Sequence, residues 1–180
     1  MSGPGDADDP AWAAAVVMDG RRVIGRCVLD GRASAPFVPG MLALRLGPLL
    51  EVLIRRLAPR PDVVLLDATG RDHPRRAGLA LHFGATEDLP TVGVTHRPLL
   101  AEGAWPSDKP GATSPLTIGT DHVATWVRTK PGTRPLVVHA GWRTDPDTAV
   151  EVVTASLVDH RTPEPLRVAR EAARRARAGQ

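Results

Sequence analysis

Residues 61–99, PDVVLLDATGRDHPRRAGLALHFGATEDLPTVGVTHRPL, include a carboxylate, imidazoles and guanidiniums where two apolar runs end and in the basic loop between those runs: Asp67, His73, Arg75, Arg76, His96 and Arg97. A carboxylate can face a metal ion or orient a substrate, and an imidazole can exchange a proton near neutral pH. Clustered guanidiniums present fixed forks of donors that suit phosphate. The chemistry suggested is that of a phosphate-bearing substrate.

The elements that must position these groups are legible from patterning. Asp62 to Leu66 is an apolar run between Pro61 and the turn Asp67-Ala68-Thr69-Gly70. It predicts a buried strand with Asp67 at its carboxyl end, where open α/β sheets hold ligands. A loop carrying His73, Pro74, Arg75 and Arg76 follows, then a helix with His82, then a second buried strand, Thr91 to Thr95, ending on His96 and Arg97. His73 suits either catalysis or phosphate positioning, and His82 is expected in the core.

These 39 residues, with Pro36-Phe37-Val38-Pro39-Gly40 upstream, resemble endonuclease V, the nuclease of deaminated purines such as inosine. That family has a P-Y-[IV]-P-G wedge, a D-G-x-G strand end, an H-P-R-R-x-G loop, a histidine in H-F-G or H-L-G, and P-T-x-G-V-[AS]-K. The matching residues here are Asp67 to Gly70, His73 to Arg76, His82-Phe83-Gly84 and Pro90 to His96, with weaker agreement through Pro110-Gly111, Gly141 to Arg143 and Pro163-Glu164-Pro165. The resemblance covers about residues 12–170. It implies an α/β fold, a ribonuclease-H-like mixed sheet flanked by helices, shortened at its N-terminus. It also implies a wedge at Pro36, Phe37, Val38 and Pro39 and base-pocket glycines at Gly70, Gly78 and Gly93, while the clustered charge of Arg75, Arg76 and Arg97, with Arg170, suits nucleic-acid or substrate binding.

The departures concern the metal ligands. The family cuts with divalent ions held by an aspartate on its first strand, a glutamate ending F-R-E after the wedge, the strand-end aspartate, and an Asp or His after R-x-P-E-P. Here Asp67 remains, F-R-E reads Leu44-Arg45-Leu46, the last position falls on Arg170, and the first strand has no counterpart. The wedge tyrosine is Phe37, and the lysine after P-T-x-G-V is His96. Magnesium takes near-octahedral oxygen coordination anchored by carboxylates, so Asp67 by itself implies a weak site or none. No cofactor is expected other than Mg2+, and that only if residual family chemistry survives. Arg170 at a ligand's place can pair with Asp67 or with a phosphate. Glu51 cannot substitute for Leu46, because five residues turn a helix about 140° further round.

Composition sets the outer limits. With 180 residues, 42% of them hydrophobic, one globular domain with a sizeable core is expected. Residues 1–10, MSGPGDADDP, read as a disordered tail, 11–170 as the endonuclease V-like domain, and 171–180 as a basic helix end or tail. No run reaches the length of a membrane span and no signal peptide opens the chain, so a cytoplasmic location without membrane contact is expected. Cys27 lies in an apolar run and reads as a buried, inert thiol. The net charge of +3 is mild, but arginines gather around the motif unit and over 161–180, which suits phosphate or merely solvates a helix.

Elsewhere, Ala13 to Val17 and Val23 to Leu29 around Met18-Asp19-Gly20 predict a hairpin. Leu49 to Leu57 predicts a helix with Pro48 in its first turn. Residues 98–119 read as a long loop carrying Trp105, a lid residue or a base-stacking one. His122 to Thr129 and Leu136 to His139 predict strands, and Asp145 caps a helix to about Val158. The absent first strand would leave backbone groups to be paired by a shift of Ala13 to Met18, by the second subunit of a homodimer, or by a longer natural chain.

Two functions follow from the resemblance and its departures. The first is a repair-class protein that recognises DNA or RNA containing inosine or another modified base, with metal-dependent phosphodiester cleavage weak or absent. The second is a metal-independent enzyme acting on a small-molecule or nucleotide-like substrate in the old cleft, with Asp67, His73 and His96 as acid, base or orienting groups. By resemblance the chain is a phosphodiester hydrolase, and by its missing carboxylates a pseudoenzyme or a repurposed one.

Overall fold

A computed structural model describes residues 5–179. They divide into two compact units, one running up to Pro61 and resuming at Pro165, the other spanning Asp62–Glu164.

In the first unit, β1 (Pro10–Asp19) and β2 (Arg22–Arg32) pair antiparallel as a separate two-stranded sheet. Gly20 takes a positive φ of 54° at the turn, as the Asp-Gly signal requires. Cys27 is half-buried rather than fully enclosed, because β2 alternates exposed and half-buried residues along its length. Helix α1 (Leu42–Arg56) begins well before the expected start and carries Pro48 in its interior. An interior proline costs about 3 kcal/mol. Buried Leu53 and Ile54 and the anchored Arg45 offset that cost. Arg45 donates to the carbonyls of Asp6 and Ala35 and pairs with Asp9 at 2.9 Å. The backbone of Asp8 and Asp9 pairs with Ala33, so residues 5–9 are held by hydrogen bonds where a disordered tail was expected. Residues 1–4 of that expected tail, and Gln180 of the expected basic end, lie outside the described residues.

The second unit is built on a five-stranded mixed sheet in the order β3-β4-β7-β6-β5, from β3 (Val64–Leu66), β4 (Thr91–Thr95), β5 (Thr113–Ile118), β6 (Asp121–Val127) and β7 (Leu136–Ala140). β3 and β4 are parallel and the remaining pairs antiparallel. β7 is buried along its whole length, as a central strand must be. Helix α2 (Leu79–Glu87) packs on β3 and β4, and α3 (Pro146–Ala155) packs chiefly on β7 and β6. Asp145 caps α3, accepting the Thr148 N–H at 2.8 Å, which holds its carboxyl below its ordinary range. α3 stops at Ala155, a turn short of the expected Val158. Helix α4 (Glu164–Ala178) runs from the end of this unit into the first.

Two expectations are corrected in this unit. β5 lies inside the segment expected as loop; Pro115 obscured it, yet a strand at a sheet edge tolerates proline because one side of its ladder needs no donor. His82 is exposed on α2 rather than in the core, because its face of the helix looks away from β4.

Candidate functional site

Register places the site. Leu66 of β3 lies opposite Gly93, Thr95 of β4 opposite Val137, and Leu136 of β7 opposite Val127 of β6. The carboxyl ends of β3 and β4 and the β6–β7 turn therefore share one edge of the sheet. Asp67 leaves that edge exposed, as do His96 and Arg97. The structure thus brings together three of the residues singled out from the sequence.

The loop after Asp67 does not stay there. It folds back across the sheet face, where a Cβ on Gly70 would lie 2.2 Å from the Ala140 carbonyl oxygen and one on Gly93 2.3 Å from that of Ala68. Both positions need glycine for close backbone approach, a packing reason independent of any base pocket. Gly78 caps α2 with its N–H on the Gly70 carbonyl. Arg71 and Arg76 both reach Asp121 Oδ2, at 2.7 and 3.4 Å, at the start of β6 on the opposite edge. Arg76 has a φ of 56°, and Arg75 is exposed beside it. These exposed pairs are worth little in water and can exchange for phosphate.

His73 is buried, and its Nδ1 accepts the Arg75 N–H at 3.2 Å. His96 is exposed, and Arg161 Nη1 lies 3.2 Å from its Nδ1. A guanidinium only donates, so that nitrogen carries the lone pair and Nε2 the proton. In both rings the Nδ1 lone pair is thus engaged by a donor.

Two buried groups escaped the sequence reading. Asp72 is fully enclosed and accepts the N–H groups of Leu99, Leu100 and Ala101 at 2.6–2.8 Å, tying the chain after β4 to the loop after β3. His139 is equally enclosed on β7, 2.9 Å through Nε2 from Thr95 Oγ1. The Thr95 hydroxyl donates to the Arg97 carbonyl, so it accepts from His139 Nε2–H. Burial pushes the imidazole down from 6.5 to about 4, against the opposing pull of the Asp72 charge. A titratable side chain inside the continuous apolar run of β7 was the available signal.

The wedge residues and Arg170 belong to the first unit. Phe37 and Val38 are 45% and 47% exposed, between Pro36 and Pro39, and the Phe37 N–H donates to the Gly5 carbonyl. Gly40 follows at a φ of 76°, before α1 begins. Leu46 is half-buried on α1, and Glu51 forms an ion pair with Arg55 at 3.6 Å. Arg170 is half-buried on α4.

The sequence matches the family model for Endonuclease V over residues 2–171. The chain belongs to the endonuclease V family. It is 37% identical to the endonuclease V of Streptomyces avermitilis over 95% of this chain and 76% of that protein. The endonuclease V of a Roseiflexus species is 35% identical over 92% and 75%. Among solved structures, the Streptomyces avermitilis enzyme superposes with a TM-score of 0.83 at 32% identity, covering 98% of this chain and 85% of that one. The catalytic domain of human endonuclease V gives 0.81 at 29% identity, over 96% and 77%. An endonuclease V of Ciona intestinalis bound to a 23mer DNA containing an inosine shares the fold, with a TM-score of 0.70 at 20% identity, over 93% and 83%. The ribonuclease-H-like mixed sheet is the fold of this family.

A divalent ion fits the residues of this endonuclease V relative poorly. Among the described residues no group of three or more His, Cys, Asp or Glu side chains is placed to hold a metal ion. Magnesium bound at Asp67 would depend on water and substrate for nearly all its ligands. Among the described residues no helix is long and apolar enough to cross a membrane.

Proposed function

We propose that this chain binds nucleic acid carrying inosine or a similarly altered base, and that its metal-dependent cleavage of the phosphodiester is weak or absent. What supports this reading is the pairing of the endonuclease V fold and motif loop with Leu46 and Arg170 where the resemblance puts carboxylates, and with no group of three or more His, Cys, Asp or Glu placed to hold a metal ion among the described residues. A two-metal displacement needs a clamp on both the attacking and the leaving oxygen. Recognition needs no such clamp. Extruding a base costs a few kcal/mol, least at a mismatched or deaminated pair, so an apolar wedge such as Phe37 and Val38 selects damage without cutting.

The alternative of a repurposed, metal-independent enzyme gains no support from the imidazoles. His96 and His73 both have Nδ1 engaged by a donor, so neither offers that lone pair as a base. Binding of labelled single strands in EDTA tests the proposal. An inosine strand should bind several-fold more tightly than the same strand with guanine, and equal affinities would sink the claim of lesion recognition.

A further inference from the structure

Trp105, which the sequence offered as a lid residue or a base-stacking one, is over half exposed at 55%. Its ring is nonetheless fixed. Trp126 meets it edge-on, centroids 6.2 Å apart at 68°, and the guanidinium carbons of Arg128 and Arg134 each lie 5.7 Å from its centroid. The two cations differ in freedom. Arg128 is buried, donates to the carbonyls of Pro106, Ser107 and Thr133 and pairs with Asp108 at 3.3 Å, which clamps the Trp105 loop to the β6–β7 turn. Arg134 is exposed.

The β6–β7 turn that carries Arg134 lies on the sheet edge where Asp67, His96 and Arg97 emerge. Arg161 bridges the two places, with Nη1 3.2 Å from His96 Nδ1, Nε 2.6 Å from the Arg134 carbonyl and Nη2 3.2 Å from that of Pro135. Neighbouring strands are about 4.8 Å apart, so the row from β4 across β7 to β6 spans about 10 Å.

We propose that this edge is a track for single-stranded nucleic acid flanking the recognised base, running from His96 and Arg161 to Arg134 and ending on Trp105, which stacks a flanking base. It rests on the nucleic-acid reading above. Aromatic platforms beside arginines bind single strands without regard to sequence, since every base has a π-face and every nucleotide a phosphate. As a base arrives, Arg134 leaves the indole face and takes the adjacent phosphate, while Arg128 keeps the ring in place.

The test compares fluorescein-labelled inosine and guanine strands, with two or ten flanking nucleotides on each side, against the wild type and Trp105→Ala, Trp105→Phe and Arg134→Gln. The wild type should bind the long strands more tightly than the short ones. Trp105→Ala should lose about tenfold on the long strands and little on the short ones. Trp105→Phe, which keeps a stacking face, should hold most of the affinity. Arg134→Gln should flatten the slope of log K against log salt by about 0.7, the value of one single-strand phosphate. Equal affinity of Trp105→Ala and the wild type for long strands overturns the track, as does an equal loss in Trp105→Phe. Inosine and guanine strands bound equally, with the length effect intact, would overturn the lesion reading and leave the track standing.

Discussion

His139 on β7 donates its Nε2–H to the hydroxyl of Thr95 on β4 at 2.9 Å, while its Nδ1 is buried with no hydrogen-bond partner among the described residues. The ring is thus held neutral in the middle of the sheet that supports the site, and protonating it places a charge where burial opposes one.

A pH dependence of stability follows. The folded-state value is about 4 and the unfolded one 6.5, so between them the unfolded chain takes up the proton first. Stability is fully present above pH 6.5 and is lost as pH falls toward 4. Full development corresponds to roughly 3 kcal/mol. Urea unfolding from pH 7 to pH 4 should show this slope in the wild type and a flatter one in His139→Asn. Parallel slopes would show that His139 is not the source.

Asp72 should matter as much to stability. Removing it strands three N–H groups, those of Leu99, Leu100 and the buried Ala101. Bonds to a charged acceptor contribute about 1.5–3 kcal/mol each, so Asp72→Ala should cost at least about 3 kcal/mol in urea unfolding at pH 7. A loss under about 1 kcal/mol would mean that the segment after β4 is held by other contacts.

What the sequence made legible and what it hid divide along physical lines. The hairpin, β3, β4, the Asp145 cap and the helix after the basic loop were readable because turn chemistry and apolar runs act locally. β5 was hidden because Pro115 argues against a strand wherever its edge position is unknown, and α1 began early because tertiary anchoring of Arg45 overrode the penalty at Pro48. In the site, Asp67, His96 and Arg97 were placed at one edge by the strand pattern alone. Asp72, His139 and Arg161 escaped because their partners lie 27–29, 44 and 65 residues away along the chain. The loop with Arg71 and Arg76 crosses to Asp121 for the same reason, a charge partner invisible to local spacing.

Phe37 offers a test of the wedge. It is exposed, so Phe37→Ala should leave the thermal midpoint nearly unchanged. The preference for an inosine duplex over an undamaged one should fall about tenfold, as expected when a wedge that supports base extrusion is lost. Unchanged preference in gel-shift titrations would remove the 36–39 segment from recognition.

Magnesium should not stabilise the free protein. A ligand that binds the folded state at a hundred times its Kd adds about 2.7 kcal/mol, whereas a site anchored by Asp67 should add almost nothing at millimolar metal. Thermal scans with magnesium, manganese and EDTA should overlay, and Asp67→Ala should behave alike. A midpoint raised by metal, with the rise abolished in Asp67→Ala, would reveal ligands beyond Asp67.

The most direct measurement follows binding and cutting in one sample. Excess protein is mixed with an end-labelled inosine strand, with magnesium or manganese or with EDTA, and the strand is resolved on native and denaturing gels over hours. The predicted result is a retained complex whose strand stays intact, or is cut only in trace, with or without metal. Prompt metal-dependent cutting near the inosine, abolished by Asp67→Ala, would contradict it.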